Sequence, residues 1–438
     1  MNLDIHNWCD LGAAGRKRLL CRPALRSADD LNAGVAEIVA QVRREGDAAV
    51  RMLTHKFDGV ELQCCGVNDA EFVAAEQAVS ASALRAIDVA IRNVNTFHEA
   101  QRPRDVDVAT APGVRCQRIS QPIDSVGLYV PAGSAALPSA AIMLAVPAGI
   151  AGCPVRVLCT PPRPDGCADP AVLIAARRCG IDQVFKIGGA QAIAAMAYGT
   201  ATIPRVDKIF GPGNAWVTAA KQQVSSDGCA IDMPAGPSEV LVIADADASP
   251  EFVAADLLSQ AEHGEDSQVL LVTTCRILAQ RVCGAIARQL PSLERRAIAE
   301  QALRASRFIV ADDLQQAIAL SNEYAPEHLL LHIRQPRRAL KAVRNAGSVF
   351  LGPWSPESAG DYCSGTNHVL PTNGAARSHS GLGVDQFMRQ MTVQELTRDG
   401  LRQLAPAVVE LAMLEGLHAH AQAVRIRLDV LEAAEATR

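Results

Sequence analysis

The sequence predicts an α/β fold of two doubly wound, Rossmann-like lobes, with a helical N-terminal arm and a helical C-terminal tail domain. Three observations carry this. From about residue 125, short runs rich in Val, Ile and Leu alternate with Ala-rich stretches of helical period. Several of the strand-like runs end in a Gly-rich turn that opens a helix. The 438 residues, 49% hydrophobic and 20% charged, can bury more than one core, and a single domain of ordinary size holds far fewer.

In chain order, residues 1–25 form a polar, basic-leaning arm. Residues 28–56 have apolar positions at helical spacing, with Asp29 and Asp30 as N-cap candidates, and 69–101 are again helical. Strands are predicted at 125–130, 155–160, 183–187, 207–210, 239–244, 268–273, 307–310, 328–333 and 348–352. Helices fill the gaps, at 138–149, 169–179, 190–198, 215–226, 250–263, 277–289, 313–322 and 336–345. Such alternation signals parallel sheets covered on both faces. One lobe is expected to combine 26–128 with 239–381, the other to span 129–238, and 382–438 to form a helical dimerisation segment.

The bulk chemistry excludes some function classes. A net charge of −5 gives no electrostatic footprint for nucleic acid or anionic lipid. The longest apolar stretch, Ala140 to Gly152, is too short for a membrane span and contains Pro147, so it reads as a buried helix. The N-terminus lacks a basic region followed by an apolar one, as a secretory signal would have. Thirteen scattered cysteines, without CxxC and with Cys64 and Cys65 adjacent, read as free thiols in a reducing cytoplasm.

Five segments carry candidate chemistry. The turns Pro131–Ser134, Gly188–Gln191 and Gly211–Asn214 each follow a strand and precede a helix, which suits a nucleotide, although none matches GxGxxG. In SPEFVAADLLSQAEHG, Ser249 and Pro250 open a helix, Gln260 and His263 share one face near its end, and Gly264 stops it; the pair reads either as metal ligands or as surface groups. Glu327 and His328 stand side by side at the mouth of a strand, a pairing suited to acid–base work. The polar segment 355–371 contains Glu357, Asp361, Ser364, Thr366, Asn367 and His368 along a path set by Gly360, Gly365 and Pro371. Finally, Glu415, His418 and His420 interrupt an apolar helical pattern, and Glu415 and His420 can share a face only if the helix breaks, with Gly416 the natural place.

Together the segments GLYVPAGSAALPS, GGAQAIAAMAYGT, DKIFGPGNAWVTAAK, IDMPAGPSEVLVIAD, DLLSQAEHG, PEHL, SPESAGDYCSGTNHVLPT, MTVQEL and EGLHAH resemble the histidinol dehydrogenase family, over nearly the whole chain. Ala132 and Ala136 depart from the expected pattern of the first Gly-rich loop. The resemblance implies an NAD-dependent, four-electron oxidation of L-histidinol to L-histidine through bound L-histidinaldehyde, with one Zn²⁺ per subunit. It implies Gln260, His263, Asp361 and His420 as metal ligands that also hold substrate, His420 reaching in from the partner of a homodimer. Glu327 and His328 become the acid–base pair, with His328 also touching substrate, and Ser238, His368 and Glu415 further substrate contacts. Tyr129, Gln191 and Asn214 become NAD contacts. A relative acting on another small amino alcohol or diol would share most of these residues.

Overall fold

The computed structural model describes residues 3–22, 28–132, 135–233 and 236–436; the Asp29 side chain, Gly133 and Ser134, singled out above, lie outside the described residues. The chain forms two compact units, one of 1–101 and 123–387, the other of 102–122 and 388–438.

The first unit begins with β1 (Ile5–Asn7), α1 (Ala13–Leu19), α2 (Ala28–Glu45), α3 (Asp47–Asp58), α4 (Asp69–Ala78) and α5 (Ala81–Glu99). The predicted 28–56 helix is split at Gly46, whose φ of 56° no β-carbon-bearing residue adopts easily. After β2 (Val106–Ala111) and β3 (Val114–Pro122) of the second unit come β4 (Ser125–Tyr129), α6 (Pro138–Ala151), β5 (Val155–Thr160), α7 (Pro170–Arg178), β6 (Gln183–Lys186), α8 (Gly189–Tyr198), β7 (Lys208–Phe210), α9 (Ala215–Ser226) and β8 (Ala230–Ile231). These strands form a parallel five-stranded sheet in the order β6-β5-β4-β7-β8.

Then follow β9 (Glu239–Ala244), α10 (Pro250–Ala261), β10 (Gln268–Thr273), α11 (Arg276–Gln289), α12 (Arg296–Arg304), β11 (Arg307–Val310), α13 (Leu314–Tyr324), β12 (His328–His332), α14 (Pro336–Leu340), β13 (Ser348–Leu351) and α15 (Glu357–Tyr362). Their strands make a parallel six-stranded sheet, β1-β11-β10-β9-β12-β13. Apart from β1, the two sheets share one wiring: the first strand lies central, the next two are added on one side, and the last two on the other. Strands β9 and β10 are buried along their whole length, which is why they read as unbroken apolar runs.

The cores correct one expectation. Val35, Val39 and Val42 of α2 and Val50 and Leu53 of α3 pack in one cluster with Ile187, Ile193 and Ile209 of the five-stranded lobe, not with the strands after 239. Helical periodicity shows that a face is buried; it does not say which of two similar sheets buries it. The six-stranded sheet is covered on one face by α10, α11 and α12, and on the other by α13 together with Trp8 and Leu19 of the arm.

The second unit corrects another. Residues from 382 onward are not purely helical: β14 (Met388–Leu396) pairs antiparallel with β3, which pairs with β2, before α16 (Arg398–Leu414) and α17 (His418–Ala436). Strand β14 is mostly exposed, so no buried face stamps period two on its sequence, and its partner strand lies some 270 residues earlier. The helix break expected at Gly416 is present, with φ 72° there. No helix among the described residues is long and apolar enough to cross a membrane.

Candidate active site

The amino-terminal edge of the six-stranded sheet gathers most of the chemistry. Helix α13 ends at Tyr324, and Ala325 takes φ 54°, a left-handed corner unusual for a residue with a side chain. Pro326 and Glu327 follow, and His328 is the first residue of β12. Leu330 packs among Val253 and Leu257 of α10, so His328 and His332, two residues to either side, face the same helix.

Helix α10 opens as expected, with the Ser249 hydroxyl accepting from the Phe252 N–H and Pro250 in the first turn. It ends at Ala261, capped by Glu262 and not by Gly264, so His263 stands in the turn just beyond. Gln260 is fully buried, yet neither its amide oxygen nor its nitrogen has a hydrogen-bond partner among the described residues. The half-exposed His263 donates from Nδ1 to the Ser259 carbonyl at 2.9 Å, which leaves Nε2 with a free lone pair. That nitrogen lies 4.0 Å from Asp361 Oδ2. Helix α15, which packs on α10, carries Glu357 and Asp361 one turn apart.

His328 sits at the centre. Its Nε2 is 3.6 Å from Asp361 Oδ1, and its Nδ1 is 3.7 Å from Glu327 Oε2 and 3.9 Å from Glu357 Oε1. Nδ1 also lies 3.2 Å from the Glu239 carbonyl, and the Glu239 N–H donates to Glu327 Oε2 at 2.8 Å. Both Glu357 oxygens are buried without a hydrogen-bond partner. Burial pushes Glu327 up to about 8 and carries Glu357 well above the carboxylate range. Burial works against charge on His328, but Glu357, Glu327 and Asp361 outweigh it and raise the imidazole to about 10. Burial would raise Asp361 too, but the neighbouring His328 imidazole overcomes it and holds this carboxyl low.

These donors fit a divalent cation. A buried amide without a partner costs about 1–3 kcal/mol, which a ligand to its oxygen would offset. The set adds an imidazole with a free Nε2, a low carboxylate, and the C-terminal, negative end of α10. His328, Glu357 and Asp361 are themselves close enough to hold one ion.

The remaining expected residues are placed as follows. His368 donates from Nδ1 to the Asp361 carbonyl at 2.8 Å, and burial shifts its imidazole below the usual histidine range. Ser238 directly precedes β9 at the same edge. Tyr129, Gln191 and Asn214 all stand at the carboxyl ends of the five-stranded sheet. Tyr129 and Gln191 are buried, the Tyr129 hydroxyl accepting from the Gly189 N–H at 3.0 Å, whereas Asn214 is exposed and caps α9. Glu415 and His420 are exposed residues of the second unit.

The histidinol dehydrogenase family model matches residues 22–428. The chain belongs to the histidinol dehydrogenase family. It is 53% identical over 426 residues to histidinol dehydrogenase of Vibrio parahaemolyticus, covering 97% of this chain and 98% of that one. To the enzyme of Xanthomonas campestris it is 55% identical over 425 residues, covering 97% and 99%. It superposes on the crystal structure of histidinol dehydrogenase from Elizabethkingia anophelis with a TM-score of 0.95 at 47% identity, covering 99% of each chain. The activity of a histidinol dehydrogenase, NAD-dependent four-electron oxidation of L-histidinol to L-histidine through the bound aldehyde, is the final step of histidine biosynthesis.

Three residues of this candidate site were not singled out by sequence reasoning. Glu357 was visible in the polar segment, and its four-residue spacing to Asp361 was the available signal. Glu239, at the head of an apolar strand, and Arg22, in the arm, gave none, because their contacts are long-range.

Proposed function

We propose that the cluster at the amino edge of the six-stranded sheet is where histidinol is oxidised. The observation that carries this is the buried Glu327–His328 pair beside an unpartnered Gln260 amide and a free His263 Nε2. Zn²⁺ would be held by Gln260, His263 and Asp361, with His420 of a second subunit as the fourth protein ligand. When bound, the ion supplies an electron-pair acceptor that orients the amine and imidazole of the substrate. NAD, received at the carboxyl ends of the five-stranded sheet near Tyr129, Gln191 and Asn214, supplies the hydride acceptor for each two-electron step.

A cation held on Asp361 would offset part of the carboxylate field that keeps His328 charged; the neutral imidazole then takes the hydroxyl proton as the carbinol hydrogen leaves as hydride, giving the aldehyde. Glu327 then takes one proton from water as it adds to the aldehyde, and loss of a second hydride, for which bound NAD would be the acceptor, with release of the remaining proton to solvent gives the carboxylate. Ser238, His368 and Glu415 contact the substrate and keep the aldehyde in the site between steps. Thirteen free cysteines support a cytoplasmic location.

Exposed Leu411 and Leu414 on α16, Leu417 in the break, and Ile426 and Val430 on α17 support a homodimer that buries this face and delivers Glu415 and His420 across the interface. Two measurements test the reading. NADH should form with histidinol and not with simple diols, in step with zinc content; saturable turnover of diols alone would sink it. Mixing His420→Ala with His328→Asn chains should restore activity that neither homodimer has, because one shared site then carries both intact residues.

A further inference from the structure

We propose that Arg22 and Glu239 are positioning residues for the acid–base pair: the Glu239 main chain holds Glu327 and His328, and the Arg22 guanidinium holds Glu239. This rests on reading Glu327 and His328 as that pair.

The Glu239 N–H donates to Glu327 Oε2 at 2.8 Å, and its carbonyl lies 3.2 Å from His328 Nδ1. One residue of β9 thus engages a set oxygen of the carboxyl and a set nitrogen of the imidazole. Donation from Nδ1 to that carbonyl makes Nε2, the nitrogen that faces Asp361, the one that exchanges the reaction proton. The arrangement is only as good as the placement of Glu239, which is the first residue of its strand.

The Glu239 side chain supplies the anchor. Its buried carboxylate is gripped by the Arg22 fork, through Nε and through an NH2 group at 2.8 Å, and accepts from the Asn373 N–H at 3.1 Å. The same NH2 group donates to the Tyr324 carbonyl at 2.9 Å and reaches that of Ala325 at 3.5 Å, while the guanidinium lies 4.0 Å over the Tyr324 ring. Ala325 is the left-handed corner that aims Glu327 and His328, a backbone state that costs about 1–2 kcal/mol and persists only where its surroundings hold it. One guanidinium therefore ties together the two segments whose alignment defines the pair: the head of β9 and the approach to β12. Lysine has neither the fork nor the reach to both.

The test uses the purified zinc-loaded enzyme. Arg22→Met should lower kcat by up to about 100-fold, the effect of small misplacement of reacting groups, with zinc content and both KM values held. Arg22→Lys, which keeps the charge and serves if the Met variant does not fold, should lose activity in the same direction. In Arg22→Ala, added guanidinium should recover kcat and ammonium should not. Wild-type kcat in Arg22→Lys or Arg22→Met, or a loss that follows zinc content and thermal stability with no response to guanidinium, would overturn the assignment. Activity retained in His328→Asn, measured alongside, would instead remove the acid–base reading on which it rests.

Discussion

The two parallel sheets have the same strand order, yet they present their candidate sites at opposite ends. In the five-stranded sheet the expected NAD contacts lie at the carboxyl ends, where the chain order reverses between β4 and β7, as is usual for open α/β sheets. In the six-stranded sheet the equivalent reversal lies between β9 and β12, and its carboxyl end carries a set of ion pairs. There the Arg334 N–H and side chain are taken by Asp245 and Asp247, and beneath them His332 Nε2 lies 2.8 Å from Asp256. The metal and acid–base candidates occupy the other edge. Helix polarity accounts for the difference. Helices that follow strands offer N-termini at the carboxyl edge, which favour phosphates, and C-termini at the amino edge, which favour a cation. The wiring can be repeated while the charge preference of the ligand decides which edge is used.

The comparison can be broken most sharply at the amino edge. His328→Asn should cut kcat by about 10²–10⁴-fold, the usual worth of a general base, with zinc retained by elemental analysis. Asp361→Ala should remove zinc and so lose more affinity for the ion than the about 10–100-fold that losing an outer-shell partner costs. Normal zinc content in that variant would move the metal away from this edge.

At the carboxyl edge of the five-stranded sheet, Gly211→Ala tests whether the turn serves the cofactor. Gly211 has φ 120°, and a β-carbon there would fall 2.2 Å from the Tyr129 carbonyl, so strands β4 and β7 must part. About 2–4 kcal/mol of stability should be lost on denaturant titration. The NAD KM should rise while the histidinol KM holds; an unchanged NAD KM in a folded variant would make the turn merely a strand–helix connection.

The acid–base pair predicts a pH dependence with a definite sign. A base works ionised, and burial places Glu327 at about 8, above its ordinary value. Oxidation of supplied histidinaldehyde should therefore climb about tenfold per pH unit and level off above 8. Glu327→Gln should abolish that limb. The smallest effect is expected at the carboxyl edge of the six-stranded sheet: Arg334→Ala removes an exposed ion pair with Asp247 and should leave kcat and both KM values unchanged.

The sequence by itself determined the α/β class, nine of the eleven strands of the two parallel sheets with most of the helices between them, though not the short edge strands β1 and β8 or helix α12, and the residue types of the site. These are written locally, in period, in capping residues such as Ser249, and in clusters such as Glu327–His328. Only the tertiary structure decided that α2 and α3 belong to the five-stranded lobe, that β14 joins β2 and β3, and that His263 stands past the end of its helix. Only it placed Arg22 on Glu239 across 217 residues of chain, because a long-range ion pair leaves no periodic trace. The same holds for the choice of edge: periodicity encodes which faces are buried, whereas the end of the sheet that holds chemistry depends on which helix termini and side chains meet there in space.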